Sequence, residues 1–136
     1  MTFPQPEPGA STALTQTLVR LDTTNPPGNE ALAVSLLADL LERDGFEVTR
    51  IPYPVGENRL QAIARLRGKG RVPGLMFSGH LDVVPPGEVP WSMPPFGAEI
   101  HDGRLYGRGS CDMKSGVAAM VTAALALARQ TASTGG

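Results

Sequence analysis

Residues 77–87, FSGHLDVVPPG, place a histidine and an aspartate two positions apart at the end of an apolar run. Side chains alternate between the two faces of a strand, so His80 and Asp82 should project together while Leu81 points into the protein. An imidazole beyond the carboxyl end of a strand can bind a metal through one nitrogen and a carboxylate through the other. The spacing therefore suits a metal ligand with its orienting partner. The competing interpretation is an aspartate that caps the turn and a histidine that only hydrogen-bonds.

A second cluster lies in residues 105–116, LYGRGSCDMKSG, where a glycine-flanked turn leads into an apolar segment. Gly107 and Gly109 would let the backbone approach another group closely, and Asp112 is placed where a carboxylate can face a site at the head of a helix. A helix cap at Asp112 and an ordinary turn at the glycines remain the alternatives. A phosphate-binding loop is disfavoured, because the third glycine of that fingerprint is missing.

Helices and strands must position these two clusters. Apolar residues recur at helical spacing in 11–22 and in 29–44, and an alanine- and leucine-rich helix packed against a sheet is predicted from residue 112 to 130. Residues 46–53 and 58–68 alternate as strands with one covered face, joined by PVGE, and Asp102-Gly103 predicts a hairpin. The short apolar run 74–79 is typical of a central strand buried on both faces. Together these segments predict an α/β layered fold with a mixed sheet.

Length and composition narrow the class of protein. The 136 residues fit one domain, and a net charge of -1 disfavours nucleic acid as a partner. A single cysteine excludes an intramolecular disulfide and favours a reducing compartment, so we expect a cytoplasmic protein. The first residues do not read as a signal peptide, and no later run reads as long and apolar enough to span a membrane.

The motifs taken together resemble a known family. The stretch SGHLDVVPPG, a following tryptophan, PPFGAEIHDGRLYGRGSCDMKSGVAAMV and the opening LVRLDTTNPPGNE are similar to the N-terminal part of the acetylornithine deacetylase, succinyl-diaminopimelate desuccinylase, aminoacylase and glutamate carboxypeptidase family of co-catalytic zinc hydrolases. The resemblance implies a three-layer α/β/α sandwich with a mixed, mostly parallel sheet, incomplete relative to the family's catalytic domain. We expect a disordered lead-in at 1–10, the N-terminal part of that domain at 11–130 and a flexible tail at 131–136.

The resemblance also assigns roles to individual residues. It implies that His80 binds one zinc ion, that Asp82 steadies this imidazole as part of the catalytic apparatus, and that Asp112 bridges two zinc ions, with cobalt or manganese as possible replacements. A cis peptide bond is expected at Asp112-Met113. Trp91 and Phe96 lie in the loop between the motifs and either line the substrate site or only stabilise the loop.

The sequence departs from the family pattern after residue 129. The Glu-Glu pair that supplies the general base and a zinc ligand is absent, as are the later ligands, whereas a two-metal site needs roughly seven. His101 is expected to be an exposed turn residue and not a ligand. Cys111 is expected to be a packed, inert thiol, although it could bind zinc opportunistically.

Two main hypotheses follow for the function. The chain is the N-terminal part of a zinc amidohydrolase acting on N-acyl amino acids or short peptides, inactive by itself and needing neither nucleic acid nor membrane. Alternatively it is a non-catalytic interaction or assembly domain that retains the motifs; an uncovered sheet edge would favour a homodimer under either hypothesis. A metal carrier using His80, Asp82 and Asp112 alone is the weakest reading, because partial carboxylate sites bind zinc poorly.

Overall fold

A computed structural model of the chain describes residues 6–54, 58–68 and 74–133, with the side chains of 132 and 133 left out. Most of the predicted PVGE connection and the outer parts of the predicted lead-in and tail lie outside these residues. The helices are α1 (Ala10–Arg20), α2 (Glu30–Arg43) and α3 (Ser115–Ser133), and the strands are β1 (Glu47–Pro52), β2 (Leu60–Arg65), β3 (Glu99–His101) and β4 (Arg104–Tyr106).

The first two helices form where their periodicity predicts them. α2 ends at the expected place, because Gly45 adopts a φ of 87° and the N–H of Phe46 donates to the carbonyl of Leu41. Asn29 precedes α2, but its side chain donates to the carbonyl of Asp22 and does not cap the helix. The prediction of both helices is therefore confirmed.

The strands β1 and β2 pair in an antiparallel hairpin with Glu47 opposite Arg65, as the alternation predicts. Among their residues only Val48 and Leu60 are half-buried, and the rest are exposed. The expected covered face is therefore largely missing. α2 lies against this hairpin, and Arg50 of β1 forms ion pairs with Asp39 and Glu42 of the helix.

The central-strand prediction for 74–79 is wrong in this structure. No strand forms there, and Leu75 and Met76 are 82% and 86% exposed. A central strand needs a hydrogen-bonded neighbour on each side, and in the described part of the chain this segment has none. Among the described residues, the nearest strand-like pairing follows this segment, where Val83 forms an isolated parallel bridge with Thr24.

The second hairpin has the turn that its sequence predicts. β3 and β4 are antiparallel, and Asp102 and Gly103 between them have φ angles of 49° and 73°. Positive φ at both central residues is the geometry of the tight hairpin turn favoured by Asp-Gly. The hairpin prediction is confirmed.

The last helix packs mainly against another helix and not against a sheet, contrary to its prediction. The core joins Leu18 of α1 to Ala33 and Leu37 of α2 and to Val117 and Ala118 of α3. Gly79 also lies against α3, since a Cβ atom there would be 2.9 Å from Val117 Cγ2. The unpaired segment therefore lies against α3.

The segment Ser110–Thr131 is long and apolar enough to cross a membrane by length and composition, which corrects the expectation from the sequence. A core helix of a water-soluble protein passes the same test. Val117 and Ala118 of this helix lie in the core, and 33% of its most apolar stretch is buried.

The chain is therefore α/β, as predicted, but its described residues form two separate two-stranded antiparallel sheets. The three-layer arrangement with a mostly parallel sheet is not confirmed. Parallel sheets are normally covered on both faces, and within the described residues the one parallel contact is the bridge between Thr24 and Val83.

Candidate metal centre

The segment that ends at Val83 holds His80 and Asp82 on the outside of the protein. Leu81 between them is half-buried against the core, and its carbonyl accepts a 2.5 Å hydrogen bond from the fully buried Thr23 hydroxyl. The N–H of Val83 donates to the carbonyl of Thr23. The expected alternation of side chains is therefore present, although no regular strand produces it.

Both nitrogens of His80 face carboxylates. Nδ1 lies 3.0 Å from Oδ1 of Asp82, and Nε2 lies 3.1 Å from Oδ1 of Asp112. The imidazole is 48% exposed, while the Asp112 side chain is 87% exposed. The structure thus brings together the three residues that the two sequence clusters singled out.

A wide helical turn at Ser110–Lys114 presents Asp112 to the imidazole. It is closed by the N–H of Lys114, which donates to the carbonyl of Gly109 at 3.0 Å. Asp112 itself is extended, with φ -124° and ψ 100°, and departs from the helical dihedral angles of the turn. The peptide bond Asp112-Met113 is cis, as expected from the family resemblance.

Two glycines bring this turn close to its neighbours, as the sequence predicts. A Cβ atom on Gly107 would lie 2.4 Å from Val19 Cγ1, and one on Gly109 would lie 2.5 Å from Val83 Cγ1. Gly109 also has a φ of 82°. A side chain on either glycine would push the turn away from its neighbour, and for Gly109 that neighbour is the segment that holds Asp82.

The charges of the three residues support one another. Burial alone would lower the pKa of His80, but its hydrogen bonds to the Asp82 backbone and to Asp112, with the two negative charges, raise that pKa overall. The Asn25 amide, which donates to Oδ2 of Asp82, is the largest influence lowering the pKa of that carboxyl, and His80 lowers it further. Asp82 is therefore ionised where His80 needs an acceptor.

The three residues open onto a cavity of about 550 Å³. Trp91 lines it, and its indole N–H donates to the carbonyl of Pro86. Phe96 is half-buried and is not among the residues that line the cavity. Of the two aromatic residues predicted for the substrate loop, the cavity therefore contains one.

Two further residues were considered as ligands from the sequence. Cys111 is exposed and lines the same cavity, so the prediction of a packed thiol is wrong. His101 is exposed, as expected, and its Nε2 lies 2.8 Å from Oε2 of Glu99.

The donors present agree with a zinc site in kind but not in number. Nε2 of His80 and Oδ1 of Asp112 converge on one point, and the other nitrogen of the imidazole is held by a carboxylate, the usual arrangement around a zinc-binding histidine. Across 6–54, 58–68 and 74–133, however, no three histidine, cysteine or acidic side chains are grouped so that they could hold an ion. The described residues therefore supply a histidine and a carboxylate that face each other, and a second carboxylate that holds the histidine.

Three residues near the site were missed from the sequence. Asn25 contacts Asp82, Arg108 stacks on the Trp91 ring at 4.9 Å, and Lys114 is fully buried with its Nζ donating to the carbonyl of Leu21. In the described part of the chain, Arg108 Nε is the one buried side-chain nitrogen or oxygen without a hydrogen-bond partner. The only signal for Lys114 was a lone cation at the start of an apolar helix.

Comparison with known proteins agrees with this geometry. Residues 76–135 match Peptidase family M20/M25/M40. A succinyl-diaminopimelate desuccinylase of Granulibacter bethesdensis is 45% identical over 114 residues, which cover 84% of this chain and 28% of that protein. Succinyl-diaminopimelate desuccinylase 2 of a Ruegeria species is 49% identical over 119 residues, covering 87% of the chain and 29% of the relative.

A third succinyl-diaminopimelate desuccinylase, from a Caulobacter species, is 45% identical over 132 residues, which cover 95% of this chain and 32% of that protein. The chain thus spans about a third or less of the length of these curated relatives. The matched region includes His80, Asp82 and Asp112. Over residues 76–135 the chain matches Peptidase family M20/M25/M40, the family that its motifs resemble, and it corresponds to a part of the length of the curated relatives.

Proposed function

We propose that this chain is the N-terminal part of a zinc-dependent amidohydrolase that cleaves the amide bond of an N-acyl amino acid or short peptide. The observation that carries the proposal is the contact of both His80 nitrogens with carboxylates from separate segments, Asp82 and Asp112. The names of the curated relatives support an N-succinyl amino acid as the acylated substrate.

In this proposal each residue has a distinct role. His80 and Asp112 are the metal ligands, with Asp112 as the bridge between two ions, and Asp82 holds the imidazole. Bound zinc supplies Lewis-acid chemistry at an amide carbonyl and lowers the pKa of water; cobalt or manganese could replace it. Trp91 borders the substrate, and the same role for Phe96 stays a prediction.

The finer fold belongs to the same proposal. In the whole protein, we expect a three-layer α/β/α sandwich with a mixed, mostly parallel sheet. The exposed Leu75 and Met76 support this, since such side chains are normally covered in a finished domain. We further propose that the protein is cytoplasmic and acts without nucleic acid or a membrane.

A zinc titration of the metal-free chain by calorimetry tests the metal site. We expect weak binding that is lost in His80→Ala and Asp112→Ala, because only two donors converge. The matched control is His101→Ala, which removes the chain's other histidine and should leave binding unchanged. Binding that survives both site variants would contradict the ligand assignment.

A chimera tests the reaction itself. The matching segment of the Caulobacter relative, which is 45% identical over 132 residues, is replaced by this chain, and release of succinate from an N-succinyl amino acid is measured. We expect turnover that His80→Ala and Asp112→Ala abolish and that Asp82→Asn lowers by about 10- to 100-fold. The 136-residue chain alone should show none. Turnover unaffected by Asp112→Ala would refute the proposal.

The exposed apolar residues also favour a second candidate, a non-catalytic domain that associates with a copy of itself. Leu75, Met76 and Phe77 are 82%, 86% and 50% exposed and follow one another in the chain. Apolar surface of this kind often marks an interface. A dimer in light scattering that Met76→Glu dissociates would support it, and a monomer at high concentration would remove it.

A further inference from the structure

The loop between α1 and α2 is fastened to the segment that bears the metal-site residues. The hydroxyl of Thr23 donates to the carbonyl of Leu81, and the N–H of Val83 donates to the carbonyl of Thr23. The N–H of Asn25 then donates to the carbonyl of Val83 at 2.8 Å. Hydrogen bonds to the main chain on both sides of Asp82 therefore fix the position of the Asn25 backbone, from which its side chain extends.

The Asn25 side chain completes the surroundings of the Asp82 carboxylate. Its Nδ2 donates to Oδ2 of Asp82 at 3.0 Å, while Oδ1 of the same carboxylate lies 3.0 Å from Nδ1 of His80. The two oxygens thus have different partners. An amide on one oxygen fixes the plane of the carboxylate and directs the other oxygen at the imidazole.

Two carboxylates compete for the single proton of a neutral His80. Asp112 faces Nε2, but its side chain is 87% exposed and has no second hydrogen-bond partner in the part of the chain that the structure describes. Asp82 faces Nδ1 and is 34% exposed. Nδ1 has two acceptors on Asp82, the backbone carbonyl at 3.1 Å and the carboxylate at 3.0 Å, and Asn25 anchors the carboxylate. The proton position of a histidine follows the better-held acceptors, which here lie on the Nδ1 side.

We propose that Asn25 is a positioning residue that anchors Asp82, keeps the proton of neutral His80 on Nδ1 and leaves the lone pair of Nε2 facing Asp112. Its use for metal binding rests on the proposed function, whereas the proton position is a property of the metal-free chain. Asn25 acts through Asp82 and His80 and lines the same cavity. Loss of its amide should therefore change the tautomer ratio of the imidazole more than it changes the stability of the fold.

The test is the tautomer of His80 in the ¹⁵N-labelled full chain, read from long-range ¹H–¹⁵N correlations at a pH where the imidazole is neutral. The chain has two histidines, so His101 provides an internal reference. We expect the Nδ1–H form to predominate in the wild type. In Asn25→Ala its ratio to the Nε2–H form should fall about threefold or more, the usual effect of one lost hydrogen bond.

Matched variants separate positioning from a general structural effect. Asn29 lies in the same loop, but its amide donates to the carbonyl of Asp22, so Asn29→Ala should leave the tautomer ratio unchanged. Asn25→Asp keeps the shape of the side chain and replaces the donor with a repelling oxygen, so the ratio should fall at least as far as in Asn25→Ala. If the alanine variant does not fold, the tautomer ratio of Asn25→Asp tests the inference in its place.

Either of two results would overturn the inference. One is a wild-type His80 that carries its proton mainly on Nε2, which needs no variant to observe. The other is an unchanged ratio in both Asn25 variants. The tautomer is measured without metal or substrate, so the two proposals can fail independently. A chimera that does not hydrolyse the substrate would count against the proposed function alone. An unchanged tautomer ratio would count against the positioning role alone.

Discussion

Nε2 of His80 lies 3.1 Å from Oδ1 of Asp112, although 32 positions of sequence separate the two residues. One residue follows an unpaired segment and the other leaves a turn before α3, so the contact depends on how those two parts pack. Gly79 against Val117, and Gly109 against Val83, are the close approaches that hold them together.

The first prediction concerns this pair and pH. We expect the pKa of His80 to lie above its ordinary value of 6.5 and to fall in Asp112→Asn, as measured by NMR titration. The raised pKa means that the stabilisation is fully present below the unfolded-state pKa and is lost as the pH rises through the folded-state value. Asp102→Asn, a matched change in the hairpin turn, should not alter His80. Equal effects of the two variants would contradict the assignment.

Lys114 should make the stability of the chain depend on pH. Its burial lowers the pKa of the ammonium to about 8, which the charge of Asp22 only partly offsets. Between that value and the ordinary 10.5 the unfolded chain binds more protons, so this group makes the free energy of unfolding increase as the pH rises.

The measurement compares Lys114→Met with the wild type by urea unfolding at pH 7 and pH 10. The wild type should gain on the order of 2 to 3 kcal/mol relative to the variant over this range. Lys69→Met, the same change at the chain's other lysine, is the control and should follow the wild type. A parallel pH dependence in Lys114→Met would show that the ammonium is not desolvated.

Gly109→Ala should destabilise the chain through a clash and not only through its backbone angle. The new Cβ would lie 2.5 Å from Val83 Cγ1, at a φ of 82°. We expect a loss of about 2 to 4 kcal/mol in the free energy of unfolding, from the left-handed conformation and overpacking together.

Gly103→Ala is the matched control, since Gly103 has a φ of 73° but open space around its Cβ position. It should lose only about 1 to 2 kcal/mol. Adding Val83→Ala to Gly109→Ala should recover part of the difference. Equal losses in the two glycine variants would rule out the clash.

The ion pair between Glu30 and Arg59 should contribute more than the surface pair between Glu47 and Arg67. Glu30 is 9% exposed at the start of α2 and Arg59 is 27% exposed, whereas Glu47 and Arg67 are 58% and 70% exposed. Breaking a buried pair leaves an unpaired charge in the protein. We expect Glu30→Gln to cost about 1 to 3 kcal/mol in chemical denaturation and Glu47→Gln to have a smaller effect. The reverse order would contradict this reading of the burial.

Local chemistry determined much of this molecule from its sequence alone. The helices α1, α2 and α3 and both hairpins follow from periodicity and from turn residues such as Asp102-Gly103, which act over a few positions. The close approach at Gly109 and the shared direction of His80 and Asp82 could be predicted for the same reason. The match to the M20/M25/M40 family over residues 76–135 confirms the resemblance that these motifs carry.

Only the tertiary structure decided the features that need a distant partner. The apolar run 74–79 is not a strand, because pairing requires neighbours that its own residues cannot supply. The exposure of Cys111, the burial of Lys114 under α1 and the hydrogen bond from Asn25 to Asp82 depend on how separate segments meet. Sequence spacing specifies which side chains can act together, and packing specifies which of them are held in place to do so.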